Sequence, residues 1–243
     1  MALIKTRGIV LRSMKYSETS IIADIYTEER GMRSYIISGV RSRKARVRAS
    51  LVQVMSLVEM VAYDRHEKGL NRVREIRPAH VYQSLPFNVR KSAVGLFVAE
   101  IARKTIREPE ENKKLFGFLF RSFRFLDETT VPITGIPLYF MLELSMFLGF
   151  VPAEEWTEET PVFDLQEGVF VAAPPPHAHY LGEEEARLLH QLLGKSLGSC
   201  HEVSMQRRQR QSLLLRLIDY YRLHIENFPE IYAHEVLQEV LES

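Results

Sequence analysis

Three groups of side chains in this 243-residue chain could do chemistry. The first is Arg41, Arg43, Lys44, Arg46 and Arg48 in "GVRSRKARVRAS", five cations in eight positions with no acid among them. Lysine would serve equally well to keep a strand edge from pairing, yet four of the five are arginine, whose planar guanidinium fits phosphate oxygens. Such a cluster neutralises phosphates and releases counterions, a salt-sensitive grip that ignores base sequence. The second group is His177-x-His179, His190, Cys200-His201 and His224, soft ligands in the second half. Structural zinc wants four ligands in two close pairs, usually with thiolates, and one cysteine cannot supply them. The third is Cys200 beside His201, a thiol next to a base; catalytic pairs, however, are assembled by the fold and seldom by adjacency. No phosphate-cradling glycine loop or His-Glu-x-x-His occurs among the 243 residues. The chemistry expected is therefore polyanion binding, with no catalysis, metal or cofactor.

Charge is distributed unevenly. Residues 1–80 hold sixteen Lys+Arg and eight Asp+Glu, a net of +8; the remainder holds sixteen and twenty-three, a net of −7. That split predicts two surfaces with different partners, one of them a polyanion. A single cysteine excludes an intramolecular disulfide and suits a reducing cytosol. Lys5, Arg7 and Arg12 interrupt any signal-peptide core, and the longest apolar run, Ile136 to Val151, is short and contains Glu143, so no membrane segment is expected.

The elements that must position these groups change character along the chain. "GIVLRSMKY", "SIIADIYT", "MRSYIISGV", "QVMSLVEMVAY" and "LNRVREIRPAHVY" are rich in β-branched and aromatic residues, with turns at Tyr16 to Thr19, Gly31, the basic loop and Gly69. Five short strands in about eighty residues predict a small closed barrel of the OB type, with an SH3-like barrel as the competing pattern. In either, the basic loop lies between the third and fourth strands. Arg33, Arg72, Arg74 and Arg77 would add charge, and Tyr26 and Tyr35 would offer stacking faces to unpaired bases. After Pro86 the period becomes helical, over 87–107 and then 112–126, where Phe116, Phe118, Phe120, Phe123 and Phe125 recur beside Lys113, Lys114, Arg121 and Arg124. Such a stripe is core, or a basic-rimmed groove for an acidic peptide with an apolar end. The helices are poor in hydrophilic surface and are expected to pack on one another as a bundle. Pro137 can open a helix that Gly149 closes. Residues 153–185 carry nine acids and no base, with a hairpin expected at Glu167-Gly168, and helices resume at 182–194, 204–224 and 231–241.

The N-terminal order of residues resembles the RecO family of bacterial recombination mediators. Its carriers are Gly8-Ile9-Val10-Leu11, Tyr16-x-Glu18, Ile22, Tyr26-Thr27, Gly31, and Ile37-Ser38-Gly39-Val40-Arg41 leading into the basic loop; "LELSMFLGFVP" and "HEVLQEV" extend the likeness to the end. The resemblance implies a mixed α+β protein: an OB domain over 1–82, then a mainly helical domain over 83–243. It implies a non-enzymatic, cytoplasmic and nucleoid-associated protein that binds single- and double-stranded DNA and anneals complementary strands. With RecR it would load recombinase onto strands coated by single-stranded-DNA-binding protein (SSB), whose acidic, Phe-ending C-terminal tail it would recognise. The DNA-contacting residues expected are Arg41, Arg43, Lys44, Arg46 and Arg48, supported by Arg33, Arg74 and Tyr35. Many family members carry a four-cysteine zinc module where this chain has "PVFDLQEGVFVAAPPPHAHYL". The expectation is a zinc-less branch in which 153–182 keeps the hairpin and packing replaces the metal. Three rivals remain on the residues alone: an OB-type RNA-binding protein, a protein-interaction scaffold whose basic loop meets an acidic partner, and a thiol enzyme using Cys200.

Overall fold

Alternating side chains between Ala2 and Pro78 form five strands: β1 (Ala2–Lys15), β2 (Ile21–Thr27), β3 (Gly31–Ile37), β4 (Leu57–Asp64) and β5 (Asn71–Pro78). The structure is a computed structural model and describes residues 2–40, 49–64, 69–107, 109–153 and 155–242. The strands close into a barrel in the order β1-β2-β3-β5-β4, the topology expected of an OB domain. Its pairings are antiparallel except for β3 with β5, which run parallel. β1 serves both neighbours: residues 2–9 pair with β4 and residues 8–15 with β2. Gly8 belongs to both ladders, and a Cβ there would stand 2.6 Å from Ile25 Cγ2. The strand therefore coils at a glycine, and a bulge between Val10 and Arg12 completes the bend.

The barrel core includes Val10, Ile25, Tyr35, Val58, Met60 and Val73. Tyr35 corrects the sequence expectation. It has the inward parity of Ile37, is 1% exposed, and offers no open ring face to a base. Tyr26 has the outward parity but is also 1% exposed, with Phe116 stacked on it.

The chain divides into two compact units, Met1–Asn88 with Ala102–Glu128, and Val89–Ile101 with Thr129–Ser243. Helix α1 (Val89–Thr105) runs from the second into the first, and α2 (Lys113–Glu128) belongs wholly to the first. Two members of the α2 Phe stripe, Phe116 and Phe120, thus pack against the barrel. Phe116 stacks on Tyr26 at 6.3 Å and lies 5.7 Å from Phe120. The Arg7 guanidinium sits 5.5 and 5.1 Å from those two rings while donating to Glu28 at 2.8 and 2.6 Å. Barrel parity leaves Tyr26 and the Arg7 stem facing outward, and an aromatic helix face is what can cover both.

At the other end of α2, Asp127 accepts the backbone N–H groups of Gln83 (3.0 Å), Ser84 (2.7 Å) and Leu85 (2.8 Å), and contacts His80 Nε2 at 3.0 Å. Burial opposes its charge, yet these donors together hold the carboxyl well below the usual range. The clamp ties the segment leaving β5 to the helix.

The second unit is built around α3 (Ile136–Leu148), buried from Ile136 through Leu142. Pro137 opens it, and Gly149 at φ 86° closes it with a Schellman pair, Gly149 N–H to Met146 O and Phe150 N–H to Ser145 O. Three short strands, β6 (Val162–Asp164), β7 (Val169–Val171) and β8 (Tyr180–Leu181), form a sheet in the order β7-β6-β8. The expected hairpin turns through Gly168 at φ 71°, and β8 extends it. Helices α4 (Glu183–Leu193), α5 (Arg207–His224) and α6 (Ala233–Glu242) complete the unit. From α5, Tyr220 donates to Phe150 O at 2.7 Å and Tyr221 to Met141 O at 2.6 Å, while Phe163 packs against Phe170 and Tyr220. Glu100 Oε2 accepts the first N–H groups of α6, at Tyr232 (3.1 Å) and Ala233 (2.6 Å).

Candidate nucleic-acid interface

Arg41, Arg43, Lys44, Arg46 and Arg48 lie outside the described residues. Both stems that carry them are described. Val40 is buried and donates to Thr19 O at 3.0 Å; on the far side Val52, in a 3-10 turn over Ala49–Val52, joins the barrel core. The bond from Val40 ties the loop's first stem to the β1–β2 turn. That turn is closed by Tyr16 N–H and Ser17 N–H donating to Ser20 O, and it leaves Tyr16 61% exposed. Tyr16 is thus an open aromatic beside the stem, in the role that Tyr26 and Tyr35 cannot fill. An aromatic inside a polar turn, with no alternation to explain it, was the available signal.

The barrel wall is rich in arginine but electrostatically committed. Besides Arg7 with Glu28, Arg12 meets Asp24 at 3.5 Å, Arg77 meets Glu59 at 2.9 Å, and Arg74 meets Glu75 at 3.3 Å. Their hydrogen bonds hold the Glu28 and Glu59 carboxyls below the usual range, the marks of carboxylates engaged by arginine. Arg74 is therefore an exposed cation that shares its charge. Arg33 differs: it stands two residues before Tyr35, on the inward parity, half-buried, and among the described residues its Nε has no hydrogen-bond partner. The structure thus gathers Val40, Val52 and Tyr16 at the loop's base, and leaves Arg33 and Arg74 on separate strand faces.

The other candidate groups do not assemble. Burial pushes the Cys200 thiol up to about 11, it is 1% exposed, and its Sγ points to Leu197 O at 3.5 Å. A thiol protonated at neutral pH and closed to solvent is no nucleophile. His177 meets Asp164 at 3.4 Å, but among the described residues no group of three His, Cys, Asp or Glu could hold a metal ion.

Comparison with known proteins agrees with this arrangement. The family model "Recombination protein O N terminal" matches residues 1–82, and "Recombination protein O C terminal" matches residues 86–230. The chain is 37% identical over 236 residues to DNA repair protein RecO of Phocaeicola vulgatus, covering 97% of this chain and 98% of the relative. It is 35% identical over 239 residues to the proteins of the same name from Bacteroides fragilis and Christiangramia forsetii, covering 98% of this chain and 99% of each. The chain belongs to the RecO family. In this RecO-family member the barrel lies within the N-terminal match, α1 to α5 with the three-stranded sheet fall in the C-terminal one, and α6 lies beyond it. No described helix is long and apolar enough to cross a membrane.

Proposed function

We propose that this RecO-family protein is a non-enzymatic mediator of recombinational DNA repair, working in the cytoplasm on nucleoid DNA. It binds single- and double-stranded DNA through Arg41, Arg43, Lys44, Arg46 and Arg48, with Arg33 and Arg74 in support, and promotes annealing of complementary strands. One observation carries the reading. The acid-free cationic loop springs from stems fixed in the barrel core, whereas the paired arginines of the wall already face carboxylates. Tyr16 joins the set as a stacking ring in place of Tyr35.

The finer partners, RecR and the SSB tail, come from the family likeness. The tail has a physical counterpart in the second unit. Leu138, Leu214, Leu237 and Leu241 line a small apolar pocket beside Arg207 and Arg210, an apolar and cationic combination that supports docking of an acidic peptide there.

The test is a fluorescence-anisotropy titration of a single-stranded oligonucleotide across salt, for the wild type and a variant with all five loop cations changed to Ala. Neutralising about three to five phosphates gives a log–log slope of roughly −2 to −3.5, most of which the variant loses. Equal slopes for the two proteins would assign the loop to another partner.

A further inference from the structure

One cavity lies beside the loop's second stem and is not explained by phosphate binding. It occupies about 460 Å³, within the range of small-ligand clefts, and is walled by residues 50–58 and 78–87 of the first unit. We propose that it seats an unstacked nucleobase of a bound single strand. This inference rests on the DNA-binding reading above and adds what phosphate contacts cannot supply, a preference for single over double strands.

The cavity's character points to a flat, partly polar occupant. Phe87 is 80% exposed and Val81 63% exposed, so a large ring and an aliphatic side chain stand open at one site. An aromatic ring held in water beside a cleft is the usual platform for a base, since every base has a π-face. Gln53 and Ser50 bring an amide and a hydroxyl to the same wall, groups able to bond a base edge.

The wall is also held in place. Met55 has φ 76°, a region that a side chain like this one adopts only when its surroundings fix it. Its N–H donates to Val10 O at 2.7 Å, and its carbonyl accepts from the Tyr82 hydroxyl at 2.7 Å. The Asp127 clamp secures the opposite wall through Gln83, Ser84 and Leu85. The site is thus preorganised.

Chain continuity selects nucleic acid over a peptide. Ser50 on the wall is two residues beyond Arg48, at most about 7 Å of covalent reach. A strand whose phosphates are gripped by the loop would carry its bases past this cavity. In a duplex those bases are paired and stacked, and cannot enter.

The experiment compares three probes of equal length with the full chain: an oligo-dT, an oligonucleotide of abasic sites with the same backbone charge, and a blunt duplex. The expected result is that Phe87→Ala weakens oligo-dT binding roughly tenfold, as the loss of one stacked base would. Its salt slope stays that of the wild type, abasic and duplex binding are unchanged, and Phe87→Trp restores oligo-dT affinity. Unchanged oligo-dT binding overturns the inference, as does an equal loss on the abasic probe. Failure of the DNA-binding reading looks different: the wild type then shows no salt-dependent binding to any probe, and the base seat falls with it.

Discussion

At the scale of single residues, Asp127 is the clearest case of a charge kept because a backbone needs it. Three amides that leave β5 with no strand partner converge on one buried carboxylate. Replacing it by Asn keeps one acceptor and turns an N–H₂ toward donors, so Asp127→Asn is expected to cost about 3 kcal/mol at neutral pH. The pH dependence follows from the sign of the shift. A carboxyl depressed in the folded state contributes stability above its unfolded pKa, near 4, and that contribution disappears as pH falls toward the folded value. Urea titrations from pH 7 to pH 3 should therefore show the gap between wild type and variant closing below about pH 4. A constant gap would mean that the clamp works without its charge.

At the scale of elements, β1 explains why the barrel closes. A strand that pairs with β4 along one half and β2 along the other must coil where the two ladders overlap, and the overlap falls on Gly8 and Ile9. Gly8→Ala would drive a methyl group to 2.6 Å from Ile25 Cγ2, in a core with no slack. The expected loss is about 1–3 kcal/mol, read as a lower urea midpoint, and it shrinks in an Ile25→Ala background, which lacks the Cγ2 atom. Helix α2 shows the converse. Its aromatic spacing is compatible with several neighbours, and what selects the barrel is the outward ring of Tyr26 with the stem of Arg7. In the second unit, Phe163, Phe170 and Tyr220 pack ring against ring beside the three-stranded sheet.

At the scale of the whole molecule, charge is the organising variable. The first eighty residues carry a net +8 and the remainder −7, but the useful distinction is between wall arginines that face carboxylates and a loop stretch whose sequence holds no acid. Ion pairs on the wall lower the field that a phosphate meets there, and surface pairs of this kind add little stability. Single changes Arg74→Ala and Arg77→Ala are thus expected to lower single-strand affinity by less than about twofold. Any single loop arginine should cost more and flatten the salt slope by about 0.7. Anisotropy at two salt concentrations separates the cases, and a wall arginine that outweighs a loop arginine would move the interface onto the barrel face.

Much of this was legible before any coordinates. The five strands, the start of α3 at Pro137, its stop at Gly149 and the turn at Gly168 follow from alternation, proline and positive-φ glycine, which act over a few neighbouring residues. The loop cations were legible because charge clustering is a property of the chain itself. What lay beyond sequence were contacts between distant residues. Tyr35 reads as an aromatic on an exposed strand until strand order and parity turn it inward. The carboxyl of Asp127 and the amide of Leu85 are 42 positions apart, and neither residue type announces the other. The cavity beside Phe87 arises only when two segments with no shared local pattern are brought together. Local backbone preference is written in short runs of residues, whereas burial and enclosed space belong to the closed barrel, which exists only once all five strands have paired.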